Sequence, residues 1–169
     1  STVFPGGHDV SGKTKFDFTG APLKQQWNFE NDPAVEDPHG TFLEIPTSSM
    51  TVSPLYYWRL AFSRLSARAD MKPFGDGAVR SMPSARNRRD KLNKLLASSL
   101  YCVTLDGMKA SLALVEYRRA RKRGAELLVL LSHPKMMTLF SVECLRRLLE
   151  EIHRNGDEVV GYECFDFNA

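Results

Sequence analysis

The chain has 169 residues, of which 43% are hydrophobic and 25% charged, with a formal net charge of +3. Such a composition suits about one globular domain with a buried core, and so small a charge does not by itself point to nucleic acid. Cys102, Cys144 and Cys164 are odd in number and widely spaced with no C-x-x-C pair, which excludes a disulfide framework or cysteine zinc site, and no apolar run approaches the roughly 18 residues of a membrane span. The cysteines read as reduced core thiols, and the expected compartment is the cytoplasm.

Near the start, Gly7 to Thr14 spell G-x-x-x-x-G-K-[ST], the pattern of a phosphate-cradling loop. That motif needs a strand before it and a helix beginning at its Lys-Thr, whose N-terminus faces the anion. Here Pro5 cuts the upstream strand short. Downstream the chain reads KFDFTGAPL, which is strand or loop chemistry. Residues 7–14 are therefore expected to be an irregular loop with a solvated Lys13.

Residues 1–53 hold Pro5, Pro22, Pro33, Pro38 and Pro46 and read as mostly loop, with one good strand from Thr41 to Pro46. From Pro54 to Ala69 the residues Leu55, Trp58, Leu60, Ala61, Phe62 and Leu65 fall on one helical face. A polar connector with glycines follows, and then a short basic helix, ARNRRDKLNKLLASS, that Ser84 is placed to cap. The remainder is more regular. Leu100–Leu105 is an apolar strand, and residues 106–124 form a helix with Asp106 placed to cap it and Gly124 to stop it. The run AELLVLLSH suits a strand covered on both faces. A second helix starts near Thr138 or Ser141 and stops at Gly156, and DEVVGYECF closes as another strand. This order implies right-handed crossovers and a parallel sheet, with runs 100–105, 126–132 and 158–162 as neighbours.

In parallel α/β architectures, ligands bind where the strands end and the following loops begin. Asp106 and His133 both fall at such ends and are expected on one edge of the sheet. An imidazole held there by a rigid strand suits general acid or base work, since imidazoles titrate near working pH. The alternatives are a satisfied structural histidine and an Asp106 that merely caps a helix. Trp27, Tyr56, Tyr57 and Trp58 are candidates for a sugar platform, although the spacing of Trp58 with Leu55 and Phe62 also suits a helix core.

The stretches FDFTGAP, GTFLEIPTS, LNKLL and LVLLSHPKMMTLFSVECLRRLLEEI together resemble the C-terminal half of bacterial polysaccharide deacetylases of the carbohydrate esterase family 4 type. The likeness runs over nearly the whole chain, taken as a single domain of residues 1–169. Within it, residues 1–53 are loop-rich and 54–169 carry the helices and parallel strands. Its family signature is Leu-x-His at Leu131, Ser132 and His133. The resemblance implies an α/β fold, part of a distorted (β/α) barrel, a divalent metal that is usually zinc, and hydrolysis of N-acetyl groups on a sugar or glycan. It also implies that His133 is the catalytic acid protonating the departing amine and that Leu131 helps line the acetyl pocket. Asp106, from its own place at a strand end and not from the resemblance, is a candidate orienter of that histidine.

The sequence departs from that family in its metal site, which needs an Asp-Asp pair and a His-x-x-x-His pair. His8, His39, His133 and His153 have no such spacing, and no metal ligands are assigned. A metal-bound water needs three protein ligands and an open position. The expectation is half an enzyme, completed by an upstream half of the barrel or found as a homodimer. Two local pairs, His8 with Asp9 and His39 with Asp37, are cryptic metal candidates. The basic runs YRRARKRG and ARNRRDKLNK are candidates for phosphate binding, but lack interleaved stacking aromatics and also suit wet helix faces. The alternative function is a non-catalytic module of related fold that binds a glycan or anionic polymer.

Overall fold

The computed structural model describes residues 3, 5–9, 16–65, 69–76 and 92–161. Gly12, Lys13 and Thr14 of the phosphate-loop pattern, Ser84 with the start of the basic helix, Cys164, and Tyr162 at the end of the expected last strand lie outside the described residues.

The fold is mixed α/β. Six short strands, β1 (His8–Asp9), β2 (Phe16–Asp17), β3 (Trp27–Phe29), β4 (Phe42–Glu44), β5 (Ser49–Val52) and β6 (Ser99–Cys102), pair as three antiparallel two-stranded sheets. The principal helices are α1 (Pro54–Leu65), α2 (Ser111–Lys122) and α3 (Leu139–Arg154), and residues 92–96 are also helical. Among the described residues, the first 53 carry β1–β5, each of two to four residues, where the sequence offered one good strand, and the rest of the described segment is loop. The expected strand at 41–46 survives as β4.

The run 100–105 takes its regular partner from that first segment. β6 pairs with β5 in the register Ser49 opposite Cys102 and Val52 opposite Ser99. Alternation explains the choice: Met50 and Val52 point into the core while Thr51 faces out, so SMTV is a half-buried strand, too short to stand out against its Pro-rich surroundings. Beyond β6 the pairing changes direction. The Val103 N–H donates to the Ser48 carbonyl (2.9 Å), and Thr104 forms a parallel bridge with Leu131. The Leu105 N–H reaches the Leu131 carbonyl at 2.9 Å, and the Leu131 N–H reaches that of Val103 at 3.3 Å. The three-strand parallel sheet expected from sequence is therefore reduced to this one contact. Residues 158–161 have no regular secondary structure.

The main core joins β5, β6 and the following residues to α2 and α3, with Met50, Val103, Leu105, Ala113, Tyr117 and Leu148 among its buried members. A second, separate cluster gathers Val3, Ala21 and Trp27. The helix α1 turns a different face inward from the one its spacing suggested. Tyr57 is buried, and Tyr56 and Leu60 pack against the main core, while Leu55, Trp58 and Phe62 are exposed. The tyrosine wins because β6 offers it specific partners. Its hydroxyl lies 2.8 Å from Ser99 Oγ, and its ring meets Tyr101 edge-on at 6.2 Å.

Helix ends follow the sequence closely. Thr138 and Ser141 form a reciprocal capping box for α3, each satisfying the other's backbone N–H. Gly124 and Gly156 end α2 and α3 with φ of 68° and 73°, a region L side chains rarely adopt. Asp106 does not follow: it precedes a short 3₁₀ turn, Gly107–Ala110, and makes no side-chain cap bond.

Candidate functional site

The parallel contact at Thr104 and Leu131 puts the ends of two adjacent segments side by side. Gly107 has a φ of 49°, which lets the chain turn away directly after Asp106 and leaves the carboxylate facing the neighbouring segment. On that neighbour His133 is still extended, at φ −114° and ψ 109°, and Pro134 begins the next turn. Two bonds join them. The His133 backbone N–H donates to Asp106 Oδ1 (2.9 Å), and His133 Nδ1 lies 2.8 Å from Asp106 Oδ2.

The Asp106 side chain is 10% exposed and that of His133 50%. A carboxylate accepts only, so the Nδ1 proton lies between the two groups, and Nε2 is left as the working nitrogen of the ring. A shielded carboxylate that holds an imidazole through one nitrogen orients the ring, an arrangement capable of general acid–base chemistry. The expectation that Asp106 and His133 share one edge is met in this geometry, and the reason Asp106 does not cap its helix is that both its oxygens are engaged by His133.

Two neighbouring acidic groups are pushed toward their neutral forms, while Lys109 brings a positive charge close by. Burial holds the Tyr101 phenol above its ordinary range, reinforced by its neighbours Tyr56, Tyr57, Cys102 and Asp106. Burial also pushes the Cys102 thiol up to about 11, with Lys109 opposing and Asp106 adding to the rise. The Lys109 ammonium sits 4.9 Å from the Tyr101 ring centre. A thiol raised in this way is held in its protonated form at neutral pH.

On the other side, residues 74–75 dock by their backbone onto the turn after His133. The Phe74 N–H donates to the Met137 carbonyl (2.8 Å) and the Gly75 N–H to that of Lys135 (3.2 Å). A Cβ on Gly75 would come within 2.8 Å of Lys135 Cα, so only glycine permits this approach. The backbone of Phe74, whose side chain is exposed, is thereby docked on the turn that follows His133. Sequence reading treated this stretch as a connector. Pro73 and Gly75 mark it only as a loop, and its docking partner lies about 60 residues further along the chain.

Of the remaining candidates, Leu131 helps build this site by its backbone and the others lie elsewhere. Leu131 is two residues from His133 and carries the bridge to Thr104. Trp27 belongs to the separate cluster, is 3% exposed, and donates from Nε1 to the Pro33 carbonyl (3.0 Å). Its ring is a core element of β3 and offers no face to a sugar. Asp37 accepts the His39 N–H at 2.9 Å in a local turn, which engages the carboxylate of that pair. The side chains of His8 and Asp9 lie outside the described residues. Among the described residues no three His, Cys, Asp or Glu side chains gather as a metal site. The basic run on α2 is largely neutralised within the chain: Arg118 pairs with Glu151, Arg121 with Asp157 and Arg123 with Glu116. Among the described residues no helix is long and apolar enough to cross a membrane.

No family model matches the chain, and no curated protein or solved structure matches it significantly.

Proposed function

We propose that the chain carries the proton-transfer centre of a carbohydrate N-deacetylase of the polysaccharide deacetylase type, within a distorted (β/α) barrel. The observation that supports this reading is the Asp106–His133 pair at the ends of two parallel, adjacent segments. Hydrolysis of an N-acetyl group adds water to the acetyl carbonyl and breaks the C–N bond, giving acetate and a free amine. The departing amine needs a proton, and His133 Nε2 is the group that supplies it. Asp106 holds the ring through Nδ1 and offsets the positive charge that the ring carries before donation. Phe74, exposed and docked by its backbone onto the turn after His133, is the aromatic residue this reading assigns to a pyranose ring in place of the buried Trp27.

The resemblance implies a divalent metal, usually zinc. The described residues do not fit it, because Asp106 has both oxygens on His133 and no third donor stands near. In this reading the ligands come from outside the described residues, from an upstream half of a barrel or from a second copy. The free thiols Cys102 and Cys144 accord with a cytoplasmic setting.

A second reading, a glycan-binding module without catalysis, is favoured by the exposed stack of Trp58 on Phe62, at 6.2 Å and 30°. Acetate release from N-acetylglucosamine oligomers with zinc separates the two. In the complete natural polypeptide that contains this chain, His133→Ala should lower kcat by about 10²–10⁴, the usual contribution of a positioned general acid. The 169-residue chain alone should bind oligomers without releasing acetate. An unchanged rate in the His133→Ala protein overturns the assignment, and activity of the chain alone would place the metal ligands within it.

A further inference from the structure

Between α2, α3 and the run 126–130 lies a groove of about 750 Å³, whose walls include Leu128, Leu130, Leu145, Leu149, Val159 and Val160. The run itself is bonded along one edge. Gln25 Oε1 accepts the Glu126 and Leu127 N–H groups (3.2 and 3.0 Å), and Ser48 Oγ accepts that of Val129 (2.9 Å). The Val129 carbonyl accepts the Ser48 N–H (3.0 Å), and Leu131 bonds to both Val103 and Leu105. Alternate residues of an extended strand address opposite edges. Leu128 and Leu130, on the other edge, make no backbone hydrogen bond among the described residues. Among the described residues, the N–H and C=O groups of Leu128 and Leu130 therefore border an apolar groove without a partner, which is an unfavourable place to leave them.

The chemistry of this opening selects its occupant. An acyl chain would fill the volume and leave the amides unpaired, and the hydroxyls of a sugar would lie against the apolar walls, whereas an extended polypeptide satisfies the edge and the walls together. One such segment already lines the groove. Residues 158–161 make no hydrogen bond among the described residues, and Val159 and Val160 are 68% and 47% exposed. Their starting point is fixed. Asp157 accepts the Tyr117 hydroxyl (2.6 Å), pairs with Arg121 Nε (2.7 Å) and donates its N–H to the Ile152 carbonyl (3.1 Å). A segment tethered one residue from the groove acts at an effective concentration on the order of millimolar or above, which a second copy must match from solution. The direction also fits: strand, α3 and returning strand form a parallel crossover.

We propose that residues 158–161 close onto the Leu128–Leu130 edge as an added parallel strand. This clamps the run whose far end carries His133 and Asp106's partner bonds. The proposal does not depend on which reaction His133 serves.

Amide hydrogen exchange by NMR on the whole chain tests it, with the Leu131 amide, bonded to Val103, as the internal control for folding. Leu128 and Leu130 should exchange about 100-fold more slowly than unstructured amides, independent of protein concentration. Backbone NOEs should link them to residues 158–161 in the unsubstituted protein. Val159→Pro and Val160→Pro each delete an N–H, one of which faces the edge; that variant should lose the protection while Leu131 keeps its own. Exchange at unstructured rates in the unsubstituted protein overturns the proposal. So does protection that survives both prolines, or protection that rises with concentration, which would assign the edge to a second copy.

Discussion

The Asp106–His133 pair can be dissected by a double-mutant cycle. A hydrogen bond to a charged group contributes about 1.5–3 kcal/mol net. The bond from the His133 N–H ends on a carboxylate that is only 10% exposed, and it takes the lower part of that range, about 1.5–2 kcal/mol. The imidazole bond ends on a ring that is 50% exposed, where solvent screening reduces it to about 0.5–1 kcal/mol. Asp106→Ala removes both and should cost about 2–3 kcal/mol, whereas His133→Ala removes the second alone. The double variant should then cost no more than Asp106→Ala, a coupling of about 0.5–1 kcal/mol. For a chain of this size the Asp106→Ala melting point should fall by about 4–12 °C. Urea unfolding with an unchanged m-value is the assay, and Asp106→Asn, which keeps one acceptor, should fall between the wild type and Asp106→Ala. Costs that add within about 0.3 kcal/mol, or an Asp106→Ala variant within about 0.5 kcal/mol of wild type, would show that the carboxylate does not hold the His133 turn.

Trp27→Ala should cost about 3–5 kcal/mol by emptying the second cluster, with affinity for N-acetylated oligomers unchanged in the folded fraction; a stable variant that loses binding would return Trp27 to the substrate. Thr138→Ala should destabilise by about 0.5–2 kcal/mol in urea and Thr138→Ser should recover most of it, because the hydroxyl serves the Ser141 N–H; equal stability of all three refutes the cap. Glu143 bonds to Arg146 and Arg147, which hold its carboxyl down at about 2, below its ordinary 4.5. Its contribution to α3 is therefore present above pH 4.5 and lost as the pH falls toward 2, and an NMR titration of Glu143 with a midpoint near 4.5 would exclude the network.

Features decided within a few residues were legible in the sequence. Thr138, Ser141, Gly124 and Gly156 mark helix ends because a cap or a left-handed turn is completed inside one helical turn of chain. The order of strand, helix and strand suggested that Asp106 and His133 share one edge, and among the described residues a single parallel contact, Thr104 with Leu131, brings them together. What required the tertiary structure was every choice between competing partners. Asp106 had a helix N-terminus at hand and bonded His133 instead, because that residue presents two nitrogens within 2.9 Å. The 100–105 run met SMTV, 47 residues or more upstream, in antiparallel register, where the local pattern allowed a parallel neighbour equally well. Tyr57 displaced Trp58 from the inner face of α1 because Ser99 and Tyr101 stood opposite it, and Trp27 went inward with Val3 and Ala21. A side chain's own periodicity states only that it has an apolar face. Which surface covers that face is set by residues far along the chain, whose position no local pattern contains.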